Sequence, residues 1–499
     1  FQNFIIERRD LLVPQDIRER KGAFFTPQKW VELSQKYISD YLGEDWQEEY
    51  YVWDCAAGTG NLLAGLTNKY HIYASTLDQA DVNVMHERIE HGANLLQNHV
   101  FQFDFLNDDF SKLPQSLQDI INDEQKRKKL IIYINPPYAE SGDVKTRSGT
   151  GQNKSNVAAS KISDKYKPQL KNATKELFAQ FLARILIEIP NSKIANFSTL
   201  KNLQSSNFSD FRKFFRAKLE KIFLVPADTF DNVKGDFPIG FFIWDNEQKA
   251  VFKYIEADVY DREGNFYGLK NIYSYDDVKG KINEWLREYN NKKIVDEIGF
   301  LMGDAPDFQN NRVINIQNEK GTRHGIYVGI NKLNLLEISI YYSVRKAINA
   351  NWLNDRDQFL YPSDAWKTDK EFQNDCLTYT LFSNNISSKW GVNQWIPFTE
   401  QEVNAQEKFA SNFMTLFMQG KLKPDENQAQ MLFQNEQQLG VYDFKPLEFS
   451  DEATAVFNAG RELWKYYHAQ KDIEVNASLY DIREYFQGRN DKGRMNAKS

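Results

Sequence analysis

Leu130-Ile131-Ile132-Tyr133-Ile134-Asn135-Pro136-Pro137-Tyr138 is the stretch on which the fold turns. Five successive apolar residues describe a strand. The two prolines end that strand, because neither can donate to a ladder and each stiffens the backbone. A stiff turn there fixes two acceptors, the Asn135 side-chain oxygen and the Pro136 carbonyl. Together they can grip one NH2 group, and Tyr138 offers a ring on which a planar base or amide can stack.

Outward from this strand, residues 49–245 alternate short apolar runs with helix-period patterns, which predicts an α/β sheet. Strands are expected at 51–53, 71–77, 100–103, 130–134, 193–197, 222–225 and 239–244. Leu177, Phe181, Ile185 and Ile189 recur at helical spacing. Residues 139–175, rich in Ser, Gly, Asn and Lys, read as a long mobile loop. Between Lys145 and Lys175 this loop carries Lys145, Arg147, Lys154, Lys161, Lys165, Lys167, Lys171 and Lys175 against one acid, Asp164. Such a local reversal suits phosphate contact in a chain of net charge −7.

Beyond 245 the pattern changes to mixed strand and turn up to about 330. Helical patterns follow at 334–349, 402–419, 451–469 and 478–487, with a Gln/Asn-rich separator at 425–438 and a frayed tail at 488–499. The expected division is an N-terminal arm (1–48), a catalytic domain (49–245) and a C-terminal region (246–499). The chain opens on Phe1 in a polar stretch, and further sequence is expected to precede it.

The 499 residues exceed one compact domain, and 41% hydrophobic with 26% charged residues excludes wholesale disorder. No apolar run approaches eighteen residues, so no membrane span is expected. Two cysteines, Cys55 and Cys376, suit a reducing cytoplasm. The six histidines form no ligand pair at i,i+4 spacing, so no metal site is expected.

Asp54-Cys55-Ala56-Ala57-Gly58-Thr59-Gly60-Asn61 lies between the first strand and a helix expected near Leu62. Glycines at such a bend let backbone approach a ligand closely. Asp78 ends the second strand, placed to accept hydrogen bonds from ribose hydroxyls. Asp104-Phe105 ends the third, an acceptor plus a ring that would suit adenine. Each acid alone also reads as a turn or capping carboxylate. Three in register at successive strand ends point to a nucleotide-like ligand.

In this combination the sequence resembles the amino-methylating DNA methyltransferases of the γ arrangement. These include N6-adenine enzymes of bacterial restriction-modification systems, Type IIG or Type I modification-subunit-like. Gly22-Ala23-Phe24-Phe25-Thr26-Pro27 resembles the family's opening motif, which implies that Phe25, Thr26 and Pro27 fold over the methionine part of S-adenosylmethionine. The resemblance likewise implies cofactor binding by Asp54, Ala56, Gly58, Gly60, Asp78, Asp104, Phe105 and Asn135. It makes Asn135, Pro136, Pro137 and Tyr138 the catalytic tetrapeptide. Asp228-Thr229-Phe230-Asp231 with Lys234 to Gly240 resembles the late motif, implying that Phe230, or alternatively Phe237, stacks on a flipped target base. The implied fold is a Rossmann-like, mostly parallel seven-stranded sheet followed by a mixed, largely helical C-terminal domain. The implied partner is double-stranded DNA, with a specificity subunit or nuclease module outside these residues as further partners.

The resemblance covers residues 20–245. Nothing equally recognisable covers 246–499, where target recognition or docking of a specificity partner is expected. No Pro-Cys pair occurs, which counts against carbon-5 cytosine methylation. N4-cytosine methylation and methylation of a protein glutamine amide remain open, since either NH2 group fits the same acceptors. A non-catalytic DNA-binding subunit is opposed by the intact Gly58, Gly60, Asp78, Asp104 and Asn135. Glu124-Gln125-Lys126 and Glu247-Gln248-Lys249 match the short part of a nuclease motif but read as solvated charges.

Overall fold

The computed structural model describes residues 26–138, 160–230, 233, 235–274, 276, 279–290, 296–303, 305–321, 326–383, 386–387, 394–422 and 441–496. The sequence readings for 1–25, 139–159 and 425–438 lie outside the described residues. Two compact units emerge: Phe1–Asp277 with Asn351–Arg356, and Val278–Ala350 with Asp357–Ser499. The break therefore falls beyond the expected residue 245, because two further strands belong to the first sheet.

The first unit is built on β1 (Tyr51–Asp54), β2 (Ile72–Thr76), β3 (Val100–Gln102), β4 (Leu130–Ile134), β5 (Lys193–Thr199), β6 (Ala217–Pro226), β7 (Pro238–Lys249), β8 (Tyr254–Tyr260) and β9 (Phe266–Tyr273). Their order is β3-β2-β1-β4-β5-β7-β6-β8-β9, nine strands where seven were expected. β3, β2, β1, β4 and β5 run parallel, while β7 runs antiparallel between β5 and β6. The first seven strands thus follow a doubly wound 3-2-1-4-5-6 order with one reversed strand inserted. All five residues of β2 and of β4 are buried, as continuous apolar runs in a parallel sheet must be.

Helices cover both faces. On one side lie α1 (Gln28–Leu42), with Trp30, Val31, Tyr37 and Ile38 buried, and α2 (Gln79–Glu90), with Val82 and Met85. On the other lie α3 (Gln115–Asn122), α4 (Lys161–Leu170) and α5 (Leu177–Glu188). Residues 28–42, expected as part of an arm, are therefore a core helix. Residues 161–175, expected as loop, are also ordered. Ile162, Tyr166 and Leu170 of α4 recur every four residues and are buried, and Ser160 caps the helix by accepting from the Ser163 amide at 2.8 Å. After the glycine bend, only a single 3-10 turn, Asn61–Leu63, replaces the expected helix.

The second unit holds a four-stranded sheet, β12 (Ile326–Ile330), β10 (Gly299–Gly303), β11 (Asn315–Gln317) and β13 (Ile386–Ser387) in that order. With it pack α6 (Leu335–Lys346), α7 (Lys370–Phe382), α8 (Asp451–His468) and α9 (Leu479–Gln487), so the region is mixed as expected. Of the helix expected over 402–419, only Phe413–Met418 forms. Upstream, Asn404 takes a left-handed φ of 56°, and the Glu402 carboxylate turns back to accept from the Thr399 amide at 2.8 Å. Of the tail expected to fray, the described residues 488–496 form a turn: Arg489 bridges to Met495 and pairs with Glu484. No helix among the described residues is long and apolar enough to cross a membrane.

Candidate functional site

Chain order reverses direction beside β1. From β1 the chain runs outward through β2 and β3, then returns to place β4 on β1's other side. In an open α/β sheet a crevice forms at this switch, outside the carboxyl ends of the strands. Val52 pairs with both Ile72 and Ile131, so the segments following β1, β2 and β4 leave the sheet at the same edge. The segments that follow β1, β2, β3 and β4, which carry Asp54 to Gly60, Asp78, Asp104 and Asn135, leave the sheet at this edge.

The β1 segment ends in Asp54, only 1% exposed, whose carboxylate accepts from the Ala56 amide at 3.0 Å. Burial pushes its carboxyl up to about 7, against the pull of that amide. The backbone then turns through Gly58 (φ 52°) and Gly60 (φ 85°), conformations that only glycine adopts without strain. A side chain on Gly60 would meet Met85 of α2 at 3.2 Å, whereas Gly58 faces open space. The bend is fastened from behind by Arg88 of α2, which donates to the Thr59 carbonyl at 2.6 Å and the Asn61 side chain at 3.0 Å. Bare backbone at Gly58 beside a strand end is a cradle that fits a nucleoside-like group, so the residues present suit the implied cofactor. Cys55 is buried with its thiol pushed well above the ordinary range by burial, which suits a packing role.

Asp78 opens α2 without capping it through its side chain and is partly exposed at the same edge. Asp104 is also partly exposed, but its carboxylate accepts from the Leu106 amide (3.0 Å), the Asn107 amide (3.1 Å) and the Asn107 side chain (2.8 Å). Much of its capacity therefore holds its own turn. Phe105 is 3% exposed and stacks on Phe181 at 4.9 Å, so its ring belongs chiefly to the core.

At the end of β4, Asn135 is held from two sides. Its Nδ2 donates to Thr26 Oγ1 at 2.8 Å, and its Oδ1 accepts from the Tyr138 hydroxyl at 2.5 Å. Thr26 and Tyr138 thus hold the amide from opposite ends, with Oδ1 toward Tyr138. Thr26 immediately precedes Pro27, the cap of α1, and α1 is itself anchored by Ser34, whose hydroxyl lies 2.5 Å from that of Tyr133 in β4. Pro136 is buried, and Pro137 and Tyr138 are partly exposed. Burial pushes the Tyr138 hydroxyl well above the usual phenol range, so it stays a neutral donor.

The late motif separates its two rings. Phe230 is 2% exposed and meets Phe197 edge-on at 5.7 Å, so its ring is enclosed in this structure. Phe237 is partly exposed and folded over Gly235, where any Cβ would run into its ring. The Arg356 guanidinium sits 4.9 Å from the Phe237 ring centre. Arg262, in the β8–β9 turn, pairs with Asp228 at 2.8 Å and Asp236 at 3.1 Å and so spans both ends of this loop. Trp30 of α1 adds a third tie, donating to Thr229 Oγ1 at 2.8 Å.

Phe25, Lys145, Arg147, Lys154, Asp231 and Lys234 lie outside the described residues. Sequence reading missed Arg88, Trp30, Arg262 and Arg356. No local signal could have found the arginines, whose partners are distant in the chain. Trp30 stands at i, i+4 and i+8 with Ser34 and Ile38, a spacing that gives α1 away.

Comparison with known proteins gave no matching family model and no matching curated protein. Among solved structures, the chain is similar to restriction-modification enzymes and methyltransferase subunits. The DrdV–DNA complex shares 13% identity over 60% of this chain and 37% of its own, with a TM-score of 0.40. The methyltransferase subunit of a type I restriction-modification system from Streptococcus thermophilus shares 18% over 55% of this chain and 54% of its own, TM-score 0.33. The modification subunit of a putative type I restriction enzyme from Vibrio vulnificus YJ016 shares 15% over 59% and 57%, TM-score 0.33. The chain spans between about a third and just over half of the length of these proteins.

Proposed function

We propose that this chain is an S-adenosylmethionine-dependent DNA methyltransferase that modifies the N6 amino group of a flipped-out adenine, within a restriction-modification system. The observation that carries the reading is Asn135. Its amide stands at the carboxyl end of β4, tethered to Thr26, across the topological switch from the Gly58–Gly60 bend. Bound S-adenosylmethionine supplies a sulfonium methyl group. Gly58, Gly60 and Asp78 would hold it, together with Asp54, Ala56, Phe25, Thr26 and Pro27, and with Asp104 and Phe105 at the margin.

The chain's own residues then do the positioning. Asn135 Oδ1 and the Pro136 carbonyl accept from the amino group and aim its lone pair at the methyl, which is catalysis mainly by alignment. In the present structure Tyr138 occupies Asn135 Oδ1, so its hydroxyl must yield that acceptor when a base enters. Stacking on Tyr138 and on Phe237, the more exposed of the late-motif rings, offsets the few kcal/mol of unstacking. Lys161, Lys165, Lys167, Lys171 and Lys175 are offered as phosphate contacts, although Lys165 and Lys171 also pair with Glu188 and Asp210. The second unit would read the target sequence or dock a specificity subunit, and a nuclease would lie outside these residues.

The test is transfer of labelled methyl from S-adenosylmethionine to mixed-sequence duplex DNA, followed by nucleoside analysis. N6-methyladenine supports the reading, N4-methylcytosine shifts it to the cytosine amino group, and label in protein alone overturns it. Asn135→Ala is expected to abolish transfer while cofactor affinity holds within about threefold. Equal loss of both would contradict the role given to Asn135.

A further inference from the structure

β5 leaves the sheet next to β4, with Ile134 paired to Asn196. Thr199, the last residue of β5, therefore runs three residues beyond that pair, as Asn135, Pro136 and Pro137 do on the neighbouring strand. Side chains alternate along a strand, and Ala195 and Phe197 pack in the same core as Tyr133 of β4 and Phe230. Thr199 and Asn135 each lie two residues beyond a member of that set, so both face the side covered by α1. Thr199 is 9% exposed, and its hydroxyl has no hydrogen-bond partner among the described residues. Asn202, three residues on and 1% exposed, has neither amide atom partnered among them. A buried polar group without a partner costs stability, and valine would pack as well as threonine at a strand end, so the hydroxyl calls for an explanation.

We infer that the Thr199 hydroxyl is a base-reading group of the target pocket, donating to a ring nitrogen of the flipped base beside the amino group held by Asn135 and Pro136. This rests on the adenine-methyltransferase reading of the site. Asn135 holds the exocyclic nitrogen, Tyr138 and Phe237 take the ring faces, and Thr199 addresses the remaining in-plane edge. A hydroxyl suits that task, because a site built to hydrogen-bond its substrate leaves a polar group unpaired until the right ligand arrives.

Thr199→Val and Thr199→Ser test it, with methyl transfer to mixed-sequence duplex DNA, S-adenosylmethionine affinity and thermal midpoint measured on the full chain. Thr199→Val is expected to raise KM for DNA about tenfold, the effect of one hydrogen bond. Cofactor affinity stays within about twofold, and the thermal midpoint is unchanged or higher because an unpaired buried group is gone. Thr199→Ser keeps the hydroxyl and is expected to stay near wild type. Unchanged KM in Thr199→Val, or activity falling in step with cofactor affinity and thermal midpoint, overturns the inference. Wild-type protein that binds cofactor but leaves DNA unlabelled overturns the underlying reading itself.

Discussion

Asn135 is only as useful as its placement, and Thr26 tethers its amide from a segment more than a hundred residues away in the chain. Thr26→Val keeps the shape of the side chain and removes the hydroxyl, freeing the amide to rotate. It is expected to lower kcat about tenfold with little change in the thermal midpoint, and Thr26→Ser to restore it. Methyl-transfer kinetics with cofactor affinity as control would check this, and an unchanged kcat would remove Thr26 from that role. At this scale the sequence was most legible where chemistry is local. Asn135-Pro136-Pro137-Tyr138 and the Gly58–Gly60 bend stand at their strand ends as their residue types demand. Arg262 and Arg356 were illegible, because they act on partners that the fold alone brings near. Phe230 and Phe237 look alike in sequence, and only burial tells the enclosed ring from the accessible one.

Among the elements, β1 to β4 were read to within two residues, because continuous runs such as 130–134 have few alternatives in an α/β chain. By contrast, β6 (Ala217–Pro226) and β7 (Pro238–Lys249) extend well beyond the expected 222–225 and 239–244 through their polar ends. α4 was lost because the Ser/Gly/Asn-rich stretch before it dominated the window, although Ile162, Tyr166 and Leu170 carried a helical period. Its start depends on Ser160, which accepts from the Ser163 amide and donates to Gln180 Oε1 at 2.6 Å. Ser160→Ala should cost about 1–2 kcal/mol by removing the cap. Hydrogen exchange of the 161–170 amides should accelerate accordingly, and unaltered protection would show that packing alone holds the helix. β8 and β9 escaped the expected sheet because their exposed aromatics, Tyr254, Phe266, Tyr267 and Tyr273, blur the in–out alternation.

For the whole molecule, two compact units imply two cooperative melting events, and each unit carries a buried carboxyl with its pKa raised. Asp54 in the first unit is moved from 3.8 to about 7, and Glu337 of α6 in the second from 4.5 to about 7, both chiefly by burial. Glu337 accepts from the Val441 amide through one oxygen, while the other has no partner among the described residues. Each folded carboxyl holds its proton more tightly than the unfolded one does. Its stabilisation is therefore full below about pH 4 and is lost as pH rises to about 7, on the order of a few kcal/mol per site. Asp54→Asn should flatten that slope in one calorimetric transition and Glu337→Gln in the other. If either variant shifts both transitions equally, the units do not melt separately. The division at Asp277 was not legible, since the pairing of β8 with β6 is a long-range fact that composition does not carry.

The segment Asn351–Arg356 belongs to the first unit, although the chain on either side belongs to the second. Trp352 and Leu353 pack against the first core, and Lys270 donates to the Leu353 carbonyl. Synthesis runs from the amino end, so the ribosome has already made residues 278–350 when the last piece of the first unit emerges. The first unit cannot finish folding on the ribosome before residues 278–350 have been made. A nascent chain halted before Arg356 would carry the crevice, yet lack the guanidinium that rests on Phe237.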